Sequence, residues 1–300
     1  MRTEPRALDV IVAGEANVDL ILTGVPPLEL DQEKLVRDMH LVLGGSSSIT
    51  AHNLARLGAR VGFVGIVGDD FFGRFVEEKL RSAGVDLSCF RKLRGAKTGL
   101  TVWHARGRRR AGVTYLGTIA RLRAADVPSA YLATARHLHV GAYFLLANLQ
   151  PQAPDLFRRA QRLGLTTSLD CNYDPSERWD SRLLETLRHT DIFFPNEDEA
   201  RKITGARDTR SAARELARIV RIVAVKRGAR GVLVACGDRL YRVPALKTRA
   251  VETTGAGDSF NAGFLARFLR GAPLEECAQA GVRAGARAVT RVGGTTAFEE

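Results

Sequence analysis

Residues 251–269, VETTGAGDSFNAGFLARFL, constrain this chain more than any other stretch. Val251 leads into two threonines, then Gly255-Ala256-Gly257, then Asp258. From Asp258 onward Phe260, Phe264, Leu265 and Phe268 recur at helical spacing, which predicts a loop, a glycine turn and a helix N-terminus. Small residues let backbone N–H groups approach an anion closely, and the helix dipole adds positive potential there. An acid at that point would repel a bound anion unless it has a chemical task. Two readings of Asp258 stand side by side. It takes a proton from a hydroxyl while the glycine loop stabilises a transferring phosphoryl group, or it caps the helix.

The rest of the chain supplies an α/β frame for that loop. Val10-Ile11-Val12-Ala13 is a continuous apolar run, as expected of a parallel sheet covered on both faces. Asn17 and Asp19 follow the break at Gly14, where open α/β sheets bind ligands. Gly44-Gly45-Ser46 precede a helix that stops at Gly58 and make a second polar pocket. Residues 61–86 read as strand, turn and amphipathic helix, and residues 97–117 as two strands joined by a basic turn near Gly107. Together with residues 15–43, which include a short strand pair over 24–43, they form a small sheet outside the main layer, suited to a lid. His137 and His139 share one face of the strand predicted over 137–145 and read as packed neutral histidines. Asp170, Asn172 and Asp174 gather at the end of another strand, where they either hold Mg²⁺ or turn the loop. Asn196 precedes Glu197, Asp198 and Glu199, the pattern of an N-cap with acids in the first turn. Lys226-Arg227-Gly228 makes a turn between strands, Gly237-Asp238 a hairpin, and two Ala/Gly-rich helices close the chain.

Composition excludes several classes. A hydrophobic content of 45% over 300 residues supports one substantial core. The sequence holds no apolar run long enough for a transmembrane helix, and MRTEPRALDV has no signal-peptide pattern. Cys89, Cys171, Cys236 and Cys277 are dispersed, as in a reduced cytoplasmic protein. The net charge of +12 comes from scattered arginines, with one cluster at 106–110. That distribution argues against nucleic acid and membrane as partners, and it favours an anionic co-substrate such as a nucleotide.

In order, the chain carries GEANVD, GGSSS, VGDDFFG, LDCNYDP, PNEDEA, VKRGARG and VETTGAGDSFNAG. In this series it resembles the ribokinase-like (PfkB) carbohydrate kinases over nearly its full length. The resemblance implies a single three-layer α/β domain over 1–300, with a mostly parallel sheet flanked by helices and a β-sheet lid near 15–43 and 97–117. It implies transfer of the γ-phosphoryl group of ATP to a hydroxyl of a small sugar, with Mg²⁺ and, in some members, a monovalent cation such as K⁺. Asp258 resembles the base, and Gly255, Ala256 and Gly257 the anion hole. Asn17, Asp19, Gly44, Gly45, Ser46 and Asn172 fall at acceptor positions. Asn196, Lys226, Gly228 and Gly231 fall on the nucleotide side, and Glu199 at the metal. A homodimer through the lid is compatible with the resemblance. Four positions depart from the pattern: Ile49 replaces a sugar-holding asparagine, Asp174 an arginine, Glu252 a cation-linked aspartate, and Val282 an asparagine near adenine. Two other functions fit the same residues, a nucleoside kinase and a sugar sensor without catalysis.

Overall fold

The computed structural model describes residues 6–106, 109–180 and 182–299. The strands run β1 (Val10–Ala13), β2 (Asn17–Thr23), β3 (Asp38–Gly44), β4 (Val61–Val64), β5 (Ile66–Gly68), β6 (Arg91–Leu93) and β7 (Gly99–Arg106). They continue as β8 (Arg109–Tyr115), β9 (His137–Val140), β10 (Thr166–Leu169), β11 (Ile192–Phe193), β12 (Ile222–Lys226), β13 (Val232–Cys236) and β14 (Arg239–Val243). The helices are α1 (Ser46–Arg56), α2 (Phe71–Ser82), α3 (Ser129–Leu132), α4 (Ala153–Arg162) and α5 (Leu183–Leu187). After them come α6 (Glu197–Thr204), α7 (Thr209–Leu216), α8 (Ala256–Phe268) and α9 (Leu274–Ala288).

Eight strands form the main sheet in the order β14-β13-β12-β11-β10-β9-β1-β4. Every pairing from β4 to β12 is parallel, and β13 and β14 add an antiparallel edge. Alternate residues of β1 serve opposite cores. Ile11 and Ala13 pack with Leu156 and Phe157 of α4, while Val10 and Val12 pack with Leu54 of α1 and Phe264 of α8. Both faces are covered, which is why the strands carry unbroken apolar runs. No helix among the described residues is long and apolar enough to cross a membrane.

β2 leaves the main sheet three residues after β1 and joins a second sheet in the order β3-β2-β7-β8. Residues 24–37 between β2 and β3 hold no regular element, so the strand pair expected within 24–43 is instead made by β2 with β3. Proline and acidic residues in that stretch supply no alternating apolar face to pair. The strand expected over 137–145 ends at Val140, where Gly141 and left-handed Ala142 (φ 49°) turn the chain. The basic turn at Gly107 lies outside the described residues.

The packing makes one residue a sensitive probe of the core. Phe264 is fully buried and stands edge-on to Phe194, with ring centroids 5.3 Å apart. Phe264→Ala should cost about 3–5 kcal/mol, read as a lower denaturant midpoint in urea.

Candidate active site

Helix α8 begins at Ala256, and its N-cap is Gly255, with φ 73° and no side-chain cap bond. Asp258 therefore lies inside the first turn, and the capping reading of this acid gives way. Its carboxylate reaches across to α1, where Oδ1 accepts the Ser46 hydroxyl at 2.5 Å. Helix α1 likewise starts after a left-handed glycine, Gly45 (φ 85°). A Cβ on Gly45 would lie 2.6 Å from Asn17 Oδ1, and one on Gly44 would lie 2.2 Å from Asp19 Oδ1. These glycines let β3 and α1 close against the polar pair of β2. Gly44 thus sits behind Asp19, while Gly45 and Ser46 face the cavity.

The main-sheet strands deliver the remaining groups from their C-terminal ends. Asp170 follows β10, Asn196 follows β11, and Lys226 ends β12. Lys226 Nζ donates to Asp170 Oδ2, which also accepts Asn261 Nδ2 at 2.6 Å. Asn196 caps α6 and forms a reciprocal capping box with Glu199. Glu199 Oε1 accepts Asn196 Nδ2 at 2.6 Å, and Oε2 accepts the Asn196 backbone N–H at 2.8 Å. Asn172 adopts φ 54° and lines the cavity beside these groups.

Crowded acids shift one another. Burial, then the charge of Asp170, raises the Asp258 carboxyl above its ordinary value. Burial carries Asp19 up to about 7 and Glu199 up to about 7, the latter with help from Asp170. Burial works against the Lys226 charge, but Asp170 and Glu199 more than offset it and hold the ammonium above its usual range. His137 and His139 are driven down to about 3 and about 4, mainly by burial, and share Ser168 Oγ at 2.7 and 2.8 Å. They are neutral core residues.

Two cavities meet here. One of about 1000 Å³ is lined by Asn17, Asp19, Ser46, Asn172, Glu199 and Asp258. A second of about 670 Å³ is lined by Gly228, Gly231, Leu246, Phe260 and Val282. They share Lys226, Gly228, Thr253, Ala256 and Gly257. Gly231 (φ 82°) belongs to the second cavity alone, and a Cβ there would strike Val243 O at 2.0 Å.

Among the described residues, ligand atoms of Asp170, Cys171 and Glu199 lie within 4.8 Å of one another. Burial holds the Cys171 thiol well above its usual pKa, so it stays protonated. The Asp170 and Glu199 carboxylates are oxygen ligands of the kind Mg²⁺ takes, and Asn261, which donates to Asp170, keeps a buried Oδ1 without a partner.

Sequence reasoning passed over three of these residues. Asn261 is a polar side chain on the buried face of α8, between Phe260 and Phe264. Arg110, read as part of a basic turn, stacks on Trp103 at 4.3 Å and contacts Thr254 and Glu252 just ahead of the glycine loop. Glu15, an acid directly after an apolar strand, is 2% exposed. That contrast was the available signal.

A doubly covered parallel sheet with a β-lid and a site at a helix N-terminus defines the ribokinase-like α/β class. An adenosine kinase from Sinorhizobium meliloti matches this fold with a TM-score of 0.85 and 27% identity, over 96% of this chain and 95% of that one. A putative Ribokinase II from E. coli, solved in complex with ATP and Mg²⁺, matches with a TM-score of 0.86 and 25% identity over 97% and 96%. The family model for pfkB family carbohydrate kinases matches residues 7–300, and the chain belongs to that family. Among curated relatives, a cytidine kinase from Thermococcus kodakarensis is 31% identical over 283 residues, covering 92% of this chain and 94% of the relative.

The buried acids give a pH-dependent stability. Folding raises the Asp19 pKa from 3.8 to about 7, so its contribution to stability is fully present below pH 3.8 and is lost as pH rises to about 7. Asp19→Asn should therefore melt progressively higher than the parent across that window, with a constant advantage above it. Melting temperatures measured across the window check this.

Proposed function

We propose that this kinase transfers the γ-phosphoryl group of ATP to a hydroxyl of a small sugar, with Asp258 as general base and Gly255-Ala256-Gly257 as anion hole. One observation carries the reading. The two cavities join at Gly257 and Lys226, and Asp258 stands on the larger side of that junction. An acceptor in the larger cavity meets Asn17 and Asp19 on the lid, with Gly45, Ser46 and Asn172 around it. Asp258 orients its hydroxyl and takes the proton. The raised proton affinity of Asp258 suits a base that must accept at the moment of attack. ATP enters the smaller cavity past Gly228 and Gly231, and its terminal phosphate reaches the first turn of α8. Backbone N–H groups and the Lys226 ammonium then face the charge that develops on the phosphoryl group. Glu199, braced by Asn196, and Asp170 are the residues that would hold Mg²⁺, which neutralises phosphate charge when bound. The lid strands over the acceptor limit water access and so wasteful hydrolysis.

The monovalent-cation site of some family members has a substitute in this chain. Arg110 Nη1 lies 3.6 Å from Glu252 Oε1 and gives that acid a cation of its own. Turnover should be equal in sodium and potassium buffers, and an increase in potassium would overturn this point.

A second acceptor class has specific support. Ile49, Trp103, Leu116, Ile119 and Phe144 make an apolar wall in the larger cavity, and its volume exceeds the needs of a bare monosaccharide. That wall suits the base of a nucleoside. Two similar proteins are named for nucleoside substrates, cytidine and adenosine. A coupled assay over sugars and nucleosides separates the readings. Turnover with hexoses or pentoses supports the first, and turnover confined to nucleosides supports the second. With the accepted substrate, Asp258→Asn should fold normally and lose about 10²–10⁴-fold in kcat. Near-normal turnover by the purified variant would remove Asp258 from the role.

A further inference from the structure

We propose that Glu15 is the positioning residue for the catalytic base: it pins the N-terminus of α1 so that Ser46 is aimed at Asp258. The inference rests on the phosphoryl-transfer reading above and adds to it a residue at the edge of the larger cavity that acts through Ser46.

Glu15 lies in the three-residue link between β1 and β2, where the chain passes from the main sheet into the lid. Its side chain turns inward and is buried. One carboxyl oxygen, Oε1, accepts the backbone N–H of Ser46. The other, Oε2, accepts the Ser47 hydroxyl at 2.6 Å. Both partners lie in the first turn of α1, whose N-cap Gly45 has no side chain to offer. The first N–H groups of a helix have no partner inside it, so a buried start needs an acceptor from elsewhere. Glu15 supplies that acceptor from another element.

The next link is Ser46 itself. Its backbone N–H is fixed by Glu15, and its hydroxyl donates to Asp258 Oδ1 at 2.5 Å. Glu15, Ser46 and Asp258 thus form a continuous series from the lid connection to the base. The surroundings leave little slack. A Cβ on Gly14 would sit 1.9 Å from Ser47 Oγ, and one on Gly141 would sit 2.8 Å from it. Farther along α1, Asn53 Nδ2 donates to Ser259 Oγ at 2.9 Å, which holds the body of α1 against α8 without setting the direction of Ser46.

The bonds of Glu15 go to an N–H and a hydroxyl rather than to a cation. Burial pushes its carboxyl up to about 8, so the neutral acid is its main form at neutral pH. Glutamine matches its length, with a carbonyl that accepts the Ser46 N–H and an NH₂ group that donates to the Ser47 hydroxyl oxygen, the rotatable O–H reversing that one bond. Aspartate is one methylene too short to reach both.

The test uses the full-length enzyme, with ATP and the acceptor found in the coupled screen. Wild-type turnover is measured first, and its absence from the whole panel would sink the phosphoryl-transfer reading itself. Glu15→Ala and Glu15→Asp should each lower kcat about ten- to a hundred-fold, while the KM for ATP stays within about two-fold. Glu15→Gln should recover most of the lost kcat. Adding Ser46→Ala to Glu15→Asp should cost little more than either change alone, because both interrupt one series. Calorimetric ATP binding and melting curves report folding, and Glu15→Asp and Glu15→Gln carry the comparison where Glu15→Ala does not fold. Full kcat in Glu15→Asp, equal losses in the aspartate and glutamine variants, or additive losses with Ser46→Ala would each overturn the role of Glu15 and leave the kinase reading standing.

Discussion

The molecule depends on a concentration of buried acids where two helices begin. Asp19, Asp170, Glu199 and Asp258 all line or adjoin one space at the carboxyl edge of the sheet; the first three are nearly inaccessible and Asp258 is half-buried. Unpartnered buried charge is costly, so each acid must find donors or a cation. Lys226 and Asn261 serve Asp170, Asn196 serves both oxygens of Glu199, and Ser46 serves Asp258. Glycine makes this possible at two points. Gly45 and Gly255 turn the chain through left-handed backbone, so that α1 and α8 both open toward the same space. Two helix N-termini add positive potential to a site that otherwise collects negative charge.

That arrangement gives the site two sides. The apolar floor near Phe260, Val282 and Leu246 suits a flat donor ring, and the polar side under β2 and β7 suits hydroxyls. Lys226 and the start of α8 are common to both. The lid contributes more than cover. Through Arg110, braced on Trp103, it contacts Thr254 and Glu252 directly ahead of the glycine loop, and through Glu15 its connection to the sheet reaches Ser46 and so Asp258.

Much of this was legible in the chain. Unbroken apolar runs announced a sheet buried on both faces, and the alternating service of β1 to two cores is the reason. The glycine turn before an apolar helical repeat located the start of α8. Asn196 as a cap was readable because capping is local, spanning three residues. The readings that failed involved competition between local options. On spacing alone Asp258 was as good a cap as a base; in the fold Gly255 takes the cap position and Asp258 turns to Ser46, 212 residues away. The strand pair expected within 24–43 gave way because β2 had a better partner in β3 on one side and β7 on the other.

Most of the elements, the order of the motifs and the glycine turns are set within the chain, because they follow from period, turn chemistry and backbone sterics within a few residues. Only the tertiary structure decided which acids share one space, which cation answers each of them, and that the space has two compartments. Those outcomes depend on burial and on distances between β1, β10, β12, α1 and α8, and electrostatic coupling between such distant segments has no local signature. Glu15 illustrates the difference: in the chain it is an acid after a strand, and in the fold it completes the start of a helix 31 residues away.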